Sequence, residues 1–170
     1  MAHSLVEIAP TALGDSVFQV IGRDAMLITA GTPAHFNTMT ASWGGWGHLW
    51  NRDVTFCFVR PQRYTFGFME QAEYYTLCFF DKEHQAALDY CGSHSGRDVD
   101  KIAATGLTPV TDATNAVYFA EARLALVCRK LYAQDLTVDS FIDRGIVDEA
   151  YPKADFHRMY VGGIVRCLRA

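Results

Sequence analysis

The sequence predicts a mainly β fold, a β-barrel with short helical inserts, on three observations. Six or seven short apolar segments are rich in β-branched and aromatic residues, and mostly short connections join them. These segments do not alternate regularly with helices, as the strands of a doubly wound sheet would. No G-x-G-x-x-G motif follows a strand, which argues against a dinucleotide-binding α/β fold.

Length and composition favour one globular domain over residues 1–170. Half of the residues are hydrophobic, which excludes a disordered chain. The net charge of −4 argues against a nucleic-acid binder, which needs a basic face. No apolar run approaches the ~20 residues that span a bilayer. Because Met1–Glu7 also lacks the features of a signal peptide, we expect a cytoplasmic protein that binds no membrane.

The five cysteines are widely spaced and form no C-x-x-C pair. Cys57, Cys78, Cys128 and Cys167 lie in apolar segments, where a thiol behaves as a small buried hydrophobe. Cys91 and His94 are both of metal-ligating type, but two ligands do not make a metal site. We therefore expect free cysteines and no metal.

In the first third of the chain, the sequence predicts a hairpin of Ser16–Ile21 and Ala25–Ala30 around a tight turn. Phe36–Trp43 has the two-residue period of a strand, with hydroxyl side chains on one face. Val54–Val59 is a β-branched and aromatic strand that stops before Pro61, a residue that favours the first turn of a helix.

Helices and strands then follow one another. A short helix is expected to run to about Gln71, followed by a strand at Tyr74–Phe80. Asp81 is a plausible N-cap for the next helix, and a glycine- and serine-rich loop covers Cys91–Arg97. The helix after Asp81 is expected to carry Ala86, Ala87, Leu88 and Tyr90 on its buried face. Asp98–Ala104 is expected to begin a second short helix.

Two further strands are predicted near the C-terminus. Helix propensity is high in Glu121–Tyr132. However, Leu124, Leu126 and Cys128 alternate with Arg123 and Arg129 in a way that suits a strand, and we predict a strand. His157–Leu168 is the last strand, and the Gly162-Gly163 pair within it indicates a bulge or a close approach.

Three constellations carry chemistry, and each also has an ordinary structural explanation. Arg60, Arg63 and Thr65 surround a proline turn and could hold a phosphate with guanidinium and hydroxyl donors. They could equally be two solvated arginines and a capping threonine. The 92–101 segment offers glycines, two serines, Arg97 and Lys101 to a ligand, or is an ordinary polar loop before a helix.

The third constellation is the strand from Thr38 to Ser42. Its alternating hydroxyls and open backbone groups could satisfy the polar edge of an isoalloxazine ring at the rim of a barrel. Threonine is also a normal residue of half-buried strands, so this pattern alone is compatible with a purely structural strand.

Taken together, the runs 37–44, 59–65 and 95–101, with 157–165 at the end, resemble the flavin reductase-like, FMN-binding split-barrel family, which includes flavoredoxins. The resemblance extends from about Gly22 to Leu168. It implies a Greek-key split β-barrel that forms a homodimer and holds FMN near the dimer interface. One departure is Gly163, where relatives often carry an acidic residue.

The resemblance also implies site residues. Thr38, Met39, Thr40, Ala41, Ser42 and Trp43 would line the isoalloxazine and the ribityl chain. The phosphate would be held by Arg60, Arg63 and Thr65 beside Tyr64. Ser93, Ser95, Gly96, Arg97 and Lys101 would close the site, and His157 would approach the ligand.

The tryptophans Trp43, Trp46 and Trp50 alternate with glycines. Their large rings could form a subunit contact or line the mouth of the flavin site. Alternatively, they pack in the core.

The predicted function is a flavin oxidoreductase in which NADH or NADPH passes a hydride to FMN. No catalytic side chain is required, and Lys101 or Arg97 would stabilise the anionic reduced flavin near N1 and O2. The alternative is an electron carrier with a protein partner, or a flavin store, without nicotinamide activity. A split barrel that binds pyridoxal phosphate or haem fits the three motifs less well.

Overall fold

A computed structural model describes residues 4–170. Residues 1–3 lie outside the described residues, although they belong to the predicted domain and to the N-terminal segment considered above. The strands are β1 Val6–Ile8, β2 Met26–Thr32, β3 His35–Ala41, β4 Gly44–Leu49, β5 Arg52–Val59, β6 Tyr74–Phe79, β7 Pro109–Thr111, β8 Val117–Phe119, β9 Leu124–Asp135 and β10 Arg158–Arg169. The α-helices are α1 Val17–Val20, α2 Tyr64–Gln71, α3 Gln85–Ser93, α4 Lys101–Thr105 and α5 Gly145–Ala150. Short 3-10 helices cover Pro10–Ala12, Lys82–His84 and Val138–Ser140.

An antiparallel sheet of eight strands dominates the molecule, in the order β3-β2-β6-β9-β10-β5-β4, with β1 paired to the end of β10. Its two edge strands, β3 and β4, are consecutive in the chain and are joined only by Ser42 and Trp43. A link this short spans only about 10 Å, so the sheet must curl until its edges meet at that end. The predicted mainly β fold is confirmed.

The central part of the sheet is covered on both faces, because alternate residues of β2, β6 and the first half of β9 pack into two different cores. One core lies inside the curled sheet and contains Ile28, Leu77 and Leu126. The other contains Leu27 and Val127 and lies beneath α3, α4 and the β7–β8 hairpin. This double burial explains why β2 and the first half of β9 have few polar residues.

The strand prediction for Glu121–Tyr132 is confirmed, because burial on both faces of β9 outweighs the helix propensity of its residues. The strands predicted at Phe36–Trp43, Val54–Val59, Tyr74–Phe80 and His157–Leu168 are also found with small shifts at their ends. β10 has a register shift between Val161 and Gly162, as the glycine pair indicated.

The predicted hairpin of Ser16–Ile21 with Ala25–Ala30 is wrong. Residues 17–20 form α1, and β2 pairs instead with β3 and β6. Val17, Val20 and Ile21 all contact the inner core, whereas Phe18 is 88% exposed. This i, i+3, i+4 spacing is the signature of a helix, and the sequence prediction overlooked it.

Smaller corrections concern the helices. α3 continues to Ser93, so only part of the predicted Cys91–Arg97 loop is a loop, and Ala86 is exposed rather than on the buried face. α4 begins at Lys101, where the Asp100 carboxylate accepts hydrogen bonds from the Ile102 and Ala103 amides. All five cysteines are buried and free. Across residues 4–170, no helix combines the length and the apolar character needed to cross a membrane.

Candidate functional site

The first pocket, here called the rim pocket, lies where β3 ends beside the ends of β5 and β10. Arg158 of β10 pairs with Val59 of β5. His157 and Arg60, each one residue beyond that pair, therefore leave the sheet at the same end. The pocket has a volume of about 200 Å³ and is lined by Met39, Thr40, Ala41, Ser42, Trp43, Phe58, Arg60, Arg63 and His157.

His157 is held in one orientation by its neighbours in the rim pocket. Its ring packs against Trp43 with 5.0 Å between ring centroids, and its Nδ1 lies 2.8 Å from the Tyr151 hydroxyl. Burial lowers the pKa of His157 to about 4, and the nearby charge of Arg60 acts in the same direction. The imidazole is therefore neutral at neutral pH, and its Nδ1 shares a hydrogen bond with the Tyr151 hydroxyl.

This pKa predicts a loss of stability in mild acid. Between pH 6.5 and about 4, the unfolded chain binds a proton at His157 that the folded chain does not, so unfolding is favoured as the pH falls. We expect the free energy of unfolding to decrease by about 2 kcal/mol between roughly pH 7.5 and pH 5 from this residue. Urea unfolding of the wild type and His157→Gln at both pH values measures it. An equal pH dependence in the two proteins would contradict the assignment.

Arg60 holds the segment before β10 against the sheet. Its guanidinium forms a short ion pair with Asp155 and donates to the Ala150 carbonyl oxygen at 3.0 Å. It also lies over the Tyr151 ring, 5.2 Å from the centroid. These two hydrogen bonds leave three of the five guanidinium hydrogens, and Arg60 lines the rim pocket together with Arg63, whereas Thr65 lines the second pocket. The contact of Arg60 with a phosphate stays a prediction.

The second pocket, here called the cation pocket, lies between β3, the start of α2 and the loop that links α3 to α4. It has a volume of about 220 Å³ and shares Met39 and Arg63 with the rim pocket, so that the two form one groove. It is lined by Asn37, Met39, Gln62, Arg63, Tyr64, Thr65, Gly92, Ser93, His94, Ser95, Gly96, Arg97 and Lys101.

Lys101 is the most deeply buried charge of the cation pocket, with 5% of its surface exposed. Its Nζ donates to the carbonyl oxygens of Thr38 and Cys91, each at 2.8 Å. An ammonium has three hydrogens, so one remains after these two bonds. Burial lowers the pKa of Lys101; the nearby Cys91 thiol opposes this shift, and the charge of Arg63 adds to it.

Arg63 and Arg97 complete a group of three cations. Arg63 is half-buried and makes only a long bond, 3.5 Å, to the Gly92 carbonyl oxygen. Arg97 stacks over the Tyr64 ring at 4.9 Å and donates to the Gln62 carbonyl oxygen. Within residues 4–170, none of the three cations has a carboxylate within ion-pairing distance, whereas Arg60, Arg123, Arg158 and Arg166 each have one. The cation pocket is thus suited to an anion.

The threonines predicted to contact a ligand are bonded within the protein. The Thr38 hydroxyl accepts from Thr29 at 2.9 Å, and the Thr40 hydroxyl donates to the Leu88 carbonyl oxygen. The Thr65 hydroxyl accepts a hydrogen bond of 2.8 Å from the Asn37 side-chain amide. Because β3 is an edge strand, backbone groups on its outer side can also contact a ligand, apart from the Thr38 carbonyl oxygen, which accepts from Lys101.

The sequence as a whole can now be compared with known proteins. A family model described as the flavin reductase like domain matches residues 19–168. The chain belongs to the flavin reductase-like family. No curated protein matches the sequence.

Solved structures of this fold are similar along most of the chain. A flavoredoxin from Methanosarcina acetivorans is 20% identical with a TM-score of 0.67, and the match covers 86% of this chain and 68% of that one. An FMN-binding protein from Thermus thermophilus is 20% identical with a TM-score of 0.68, covering 96% and 80%. An NADH:FAD oxidoreductase from Streptomyces globisporus is 14% identical with a TM-score of 0.66, covering 86% and 74%.

In this flavin reductase-like chain, the 93–97 loop folds against β3. The Ser93 hydroxyl donates to the Asp89 carbonyl oxygen at 2.8 Å, and the Ser95 hydroxyl accepts from the Arg97 amide. A Cβ at Gly96 would lie 2.0 Å from the Asn37 side-chain oxygen, so only glycine allows the loop to approach this closely.

Asn37, Phe58 and Gln62 line the groove but were not predicted as site residues, and Gly92 and His94 also line it although they were considered only as part of the 92–101 segment. Asn37 is 7% exposed and lines the cation pocket from β3. Phe58 lines the rim pocket from β5 and meets the His157 ring edge-on. The signal for Asn37 was its side-chain amide, the one amide in β3, whereas nothing in the sequence distinguishes Phe58 from a core phenylalanine.

The three tryptophans have different surroundings. Trp43 lines the rim pocket and is 47% exposed. Trp46 packs edge-on against Phe79 of the inner core, 5.8 Å between centroids. Trp50 is 53% exposed and contacts the Tyr132 ring. Core packing therefore explains Trp46, and a place at the mouth of the groove explains Trp43.

Proposed function

We propose that this protein binds FMN along the continuous groove and acts as an NAD(P)H-dependent flavin reductase. The phosphate lies in the cation pocket, and the isoalloxazine lies against the end of β3 in the rim pocket. The observation that carries the proposal is the group of three cations, Arg63, Arg97 and Lys101, which have no carboxylate partner among residues 4–170 and adjoin a pocket with an open strand edge.

The residues of the cation pocket fit a phosphate dianion. Arg63 can present a guanidinium fork, and the third hydrogen of the Lys101 ammonium can complete a charge-assisted bond. A bound phosphate would also stabilise the charged form of Lys101, whose pKa is lowered by burial and by the charge of Arg63. We therefore assign Lys101 to the phosphate rather than to N1 and O2 of the ring. We assign Arg60 the role of holding the segment before β10 against the sheet.

The rim pocket fits a flat ring system with a polar edge. Beyond Ala41, which pairs with Met26, the backbone of Ser42 and Trp43 has no ladder partner and can bond the polar edge of the ring. Trp43 and the neutral His157 form an aromatic wall that limits access of water. Bound FMN would supply hydride-accepting chemistry, while the chain positions the ring and leaves one face open to a reduced nicotinamide.

An electron carrier without nicotinamide activity is the second candidate. At about 200 Å³ the rim pocket is smaller than a typical small-molecule site of ~300–1,000 Å³. It therefore has room for one ring system, and a nicotinamide would have to stack from the solvent side. The predicted homodimer and the electron-transfer partner both remain predictions.

One experiment distinguishes the two candidates. The purified protein is loaded with FMN, freed of excess flavin under anaerobic conditions, and followed by its visible spectrum as NADH or NADPH is added. Loss of the yellow absorbance within seconds supports a reductase and identifies the donor. A bound flavin that bleaches only with a chemical reductant supports the carrier. No retained flavin would contradict the proposal of an FMN site.

A further inference from the structure

The hydrogen bond between Tyr151 and His157 determines which ring nitrogen of His157 carries a hydrogen at the rim pocket. A neutral imidazole has one N–H donor and one unprotonated nitrogen that accepts. The Nδ1 of His157 lies 2.8 Å from the Tyr151 hydroxyl, and His157 lines the rim pocket. The direction of this one bond therefore decides whether the pocket is offered a donor or an acceptor.

Tyr151 is fixed by contacts on several sides. It directly follows α5, and its backbone amide donates to the Val147 carbonyl oxygen at 2.9 Å. The Phe156 ring packs against it with 4.8 Å between ring centroids, and the Arg60 guanidinium lies over its other contact surface, 5.2 Å from the ring centroid. The fold thus sets the position of the Tyr151 hydroxyl without any ligand.

The Tyr151 hydroxyl has one acceptor for its hydrogen. Tyr151 is 4% exposed, so its hydroxyl depends on partners within the protein. Burial raises its pKa, and the hydroxyl therefore keeps its hydrogen at neutral pH. Among residues 4–170, the Nδ1 of His157 is the acceptor within hydrogen-bond distance. If Nδ1 carried a hydrogen instead, the hydroxyl hydrogen would have no acceptor there, which costs free energy.

The other ring nitrogen of His157, Nε2, is available to a ligand. In the part of the chain that the structure describes, it has no hydrogen-bond partner, and it is not enclosed by protein. Trp43 packs on the imidazole and Phe58 meets it edge-on, and both of these rings also line the rim pocket. A hydrogen on Nε2 would be a single placed donor in a mostly aromatic wall, as is usual in sites for ring ligands.

We infer that Tyr151 is a positioning residue, which holds His157 as the Nε2–H tautomer so that Nε2 donates a hydrogen bond to a carbonyl oxygen of the flavin ring. This inference rests on the proposed FMN site, because the ring supplies the acceptor. Tyr151 does not line the rim pocket and acts only through His157.

The tautomer is measured on the protein without flavin. Long-range proton–nitrogen NMR spectra distinguish a protonated ring nitrogen from an unprotonated one, and the spectrum of His157→Gln identifies the signals of His157 among those of the six histidines. At neutral pH we expect the wild type to have a protonated Nε2 and an unprotonated Nδ1. Tyr151→Phe keeps the ring but lacks the hydroxyl, so the two nitrogen shifts should move toward each other as the second tautomer becomes populated.

Tyr132→Phe is the matched control for the NMR spectra. The Tyr132 hydroxyl also donates a hydrogen bond to a side chain, that of Gln134 at 2.7 Å, but Tyr132 lines neither pocket of the groove. Its removal should leave the nitrogen shifts of His157 at their wild-type values.

The contact with the flavin is measured by adding FMN to the same samples and by quenching of flavin fluorescence. We expect FMN to move the Nε2–H signal of the wild type downfield, as a new hydrogen bond does. His157→Phe keeps a ring beside Trp43 but has no donor, and it should weaken FMN about fivefold, which corresponds to about 1 kcal/mol. Tyr151→Phe should weaken FMN by roughly two- to threefold, because only part of the molecules then present the donor.

The contrary outcomes are distinguishable. A protonated Nδ1 in the wild type would overturn the assigned tautomer, and this measurement needs no variant that might fold poorly. A tautomer that is unchanged in Tyr151→Phe would overturn the role of Tyr151. An Nε2–H signal that FMN does not move, with unchanged affinity in His157→Phe, would overturn the contact with the flavin. If the wild type binds no FMN at all, the proposed function itself fails, whatever the tautomer.

Discussion

Lys101→Met is expected to weaken FMN binding by roughly 30- to 100-fold and to change riboflavin binding less than about threefold. A hydrogen bond between charged groups contributes about 1.5–3 kcal/mol, and only FMN carries the phosphate that would accept it. The Lys101 ammonium is buried and has one hydrogen beyond its bonds to Thr38 and Cys91. Isothermal titration of the two flavins against both proteins measures the difference.

Lys130→Met is the matched control, because Lys130 also donates its Nζ to two backbone carbonyl oxygens, those of Met69 and Glu70. Burial lowers its pKa as it does for Lys101, but Lys130 lines none of the pockets of the groove. We expect FMN affinity to stay within about twofold of wild type. An equal loss of FMN and riboflavin in Lys101→Met would mean that Lys101 acts through the fold rather than through the phosphate.

Gly162→Ala is expected to cost about 3 kcal/mol or more of the free energy of unfolding. A Cβ at this position would lie 2.3 Å from the Tyr75 hydroxyl oxygen and 2.7 Å from two atoms of its ring. Tyr75 is 1% exposed, and its hydroxyl is 2.7 Å from the Thr55 hydroxyl inside the sheet. Overpacking costs about 1–3 kcal/mol, and displacing Tyr75 would lose this hydrogen bond as well. Urea unfolding measures the effect.

Gly163→Ala provides the comparison at the next residue of β10. Its Cβ would lie 3.2 Å from a terminal methyl of Leu131, which is 37% exposed and can move aside. We expect a change of less than about 1 kcal/mol. Similar losses for the two variants would show that strand flexibility, rather than the contact with Tyr75, sets the requirement for glycine. The absence of an acidic side chain at Gly163 has no explanation in the structure.

The sequence by itself was sufficient for most of the long strands and for the family, but not for α1, β1, β4, β7 and β8. β5, β6 and β10 were predictable because local alternation and β-branched residues define a strand wherever it packs. The resemblance to the family also pointed to Arg63, Arg97 and Lys101 as site residues, although it placed Arg63 at the phosphate and Lys101 or Arg97 near N1 and O2 of the ring. These properties depend on short stretches of chain.

Only the tertiary structure decided which side chains are free to bind. Arg60 and Arg63 look equivalent in the sequence, yet Arg60 is bonded to Asp155, a residue 95 positions away, and Arg63 has no carboxylate among residues 4–170. In the same way, Thr40 donates its hydroxyl hydrogen to the Leu88 carbonyl oxygen, whereas Thr65 accepts from Asn37 and keeps its own hydrogen for another acceptor. The physical reason is that a side chain's partner is set by non-local packing, whereas a sequence motif records only which chemical groups are present.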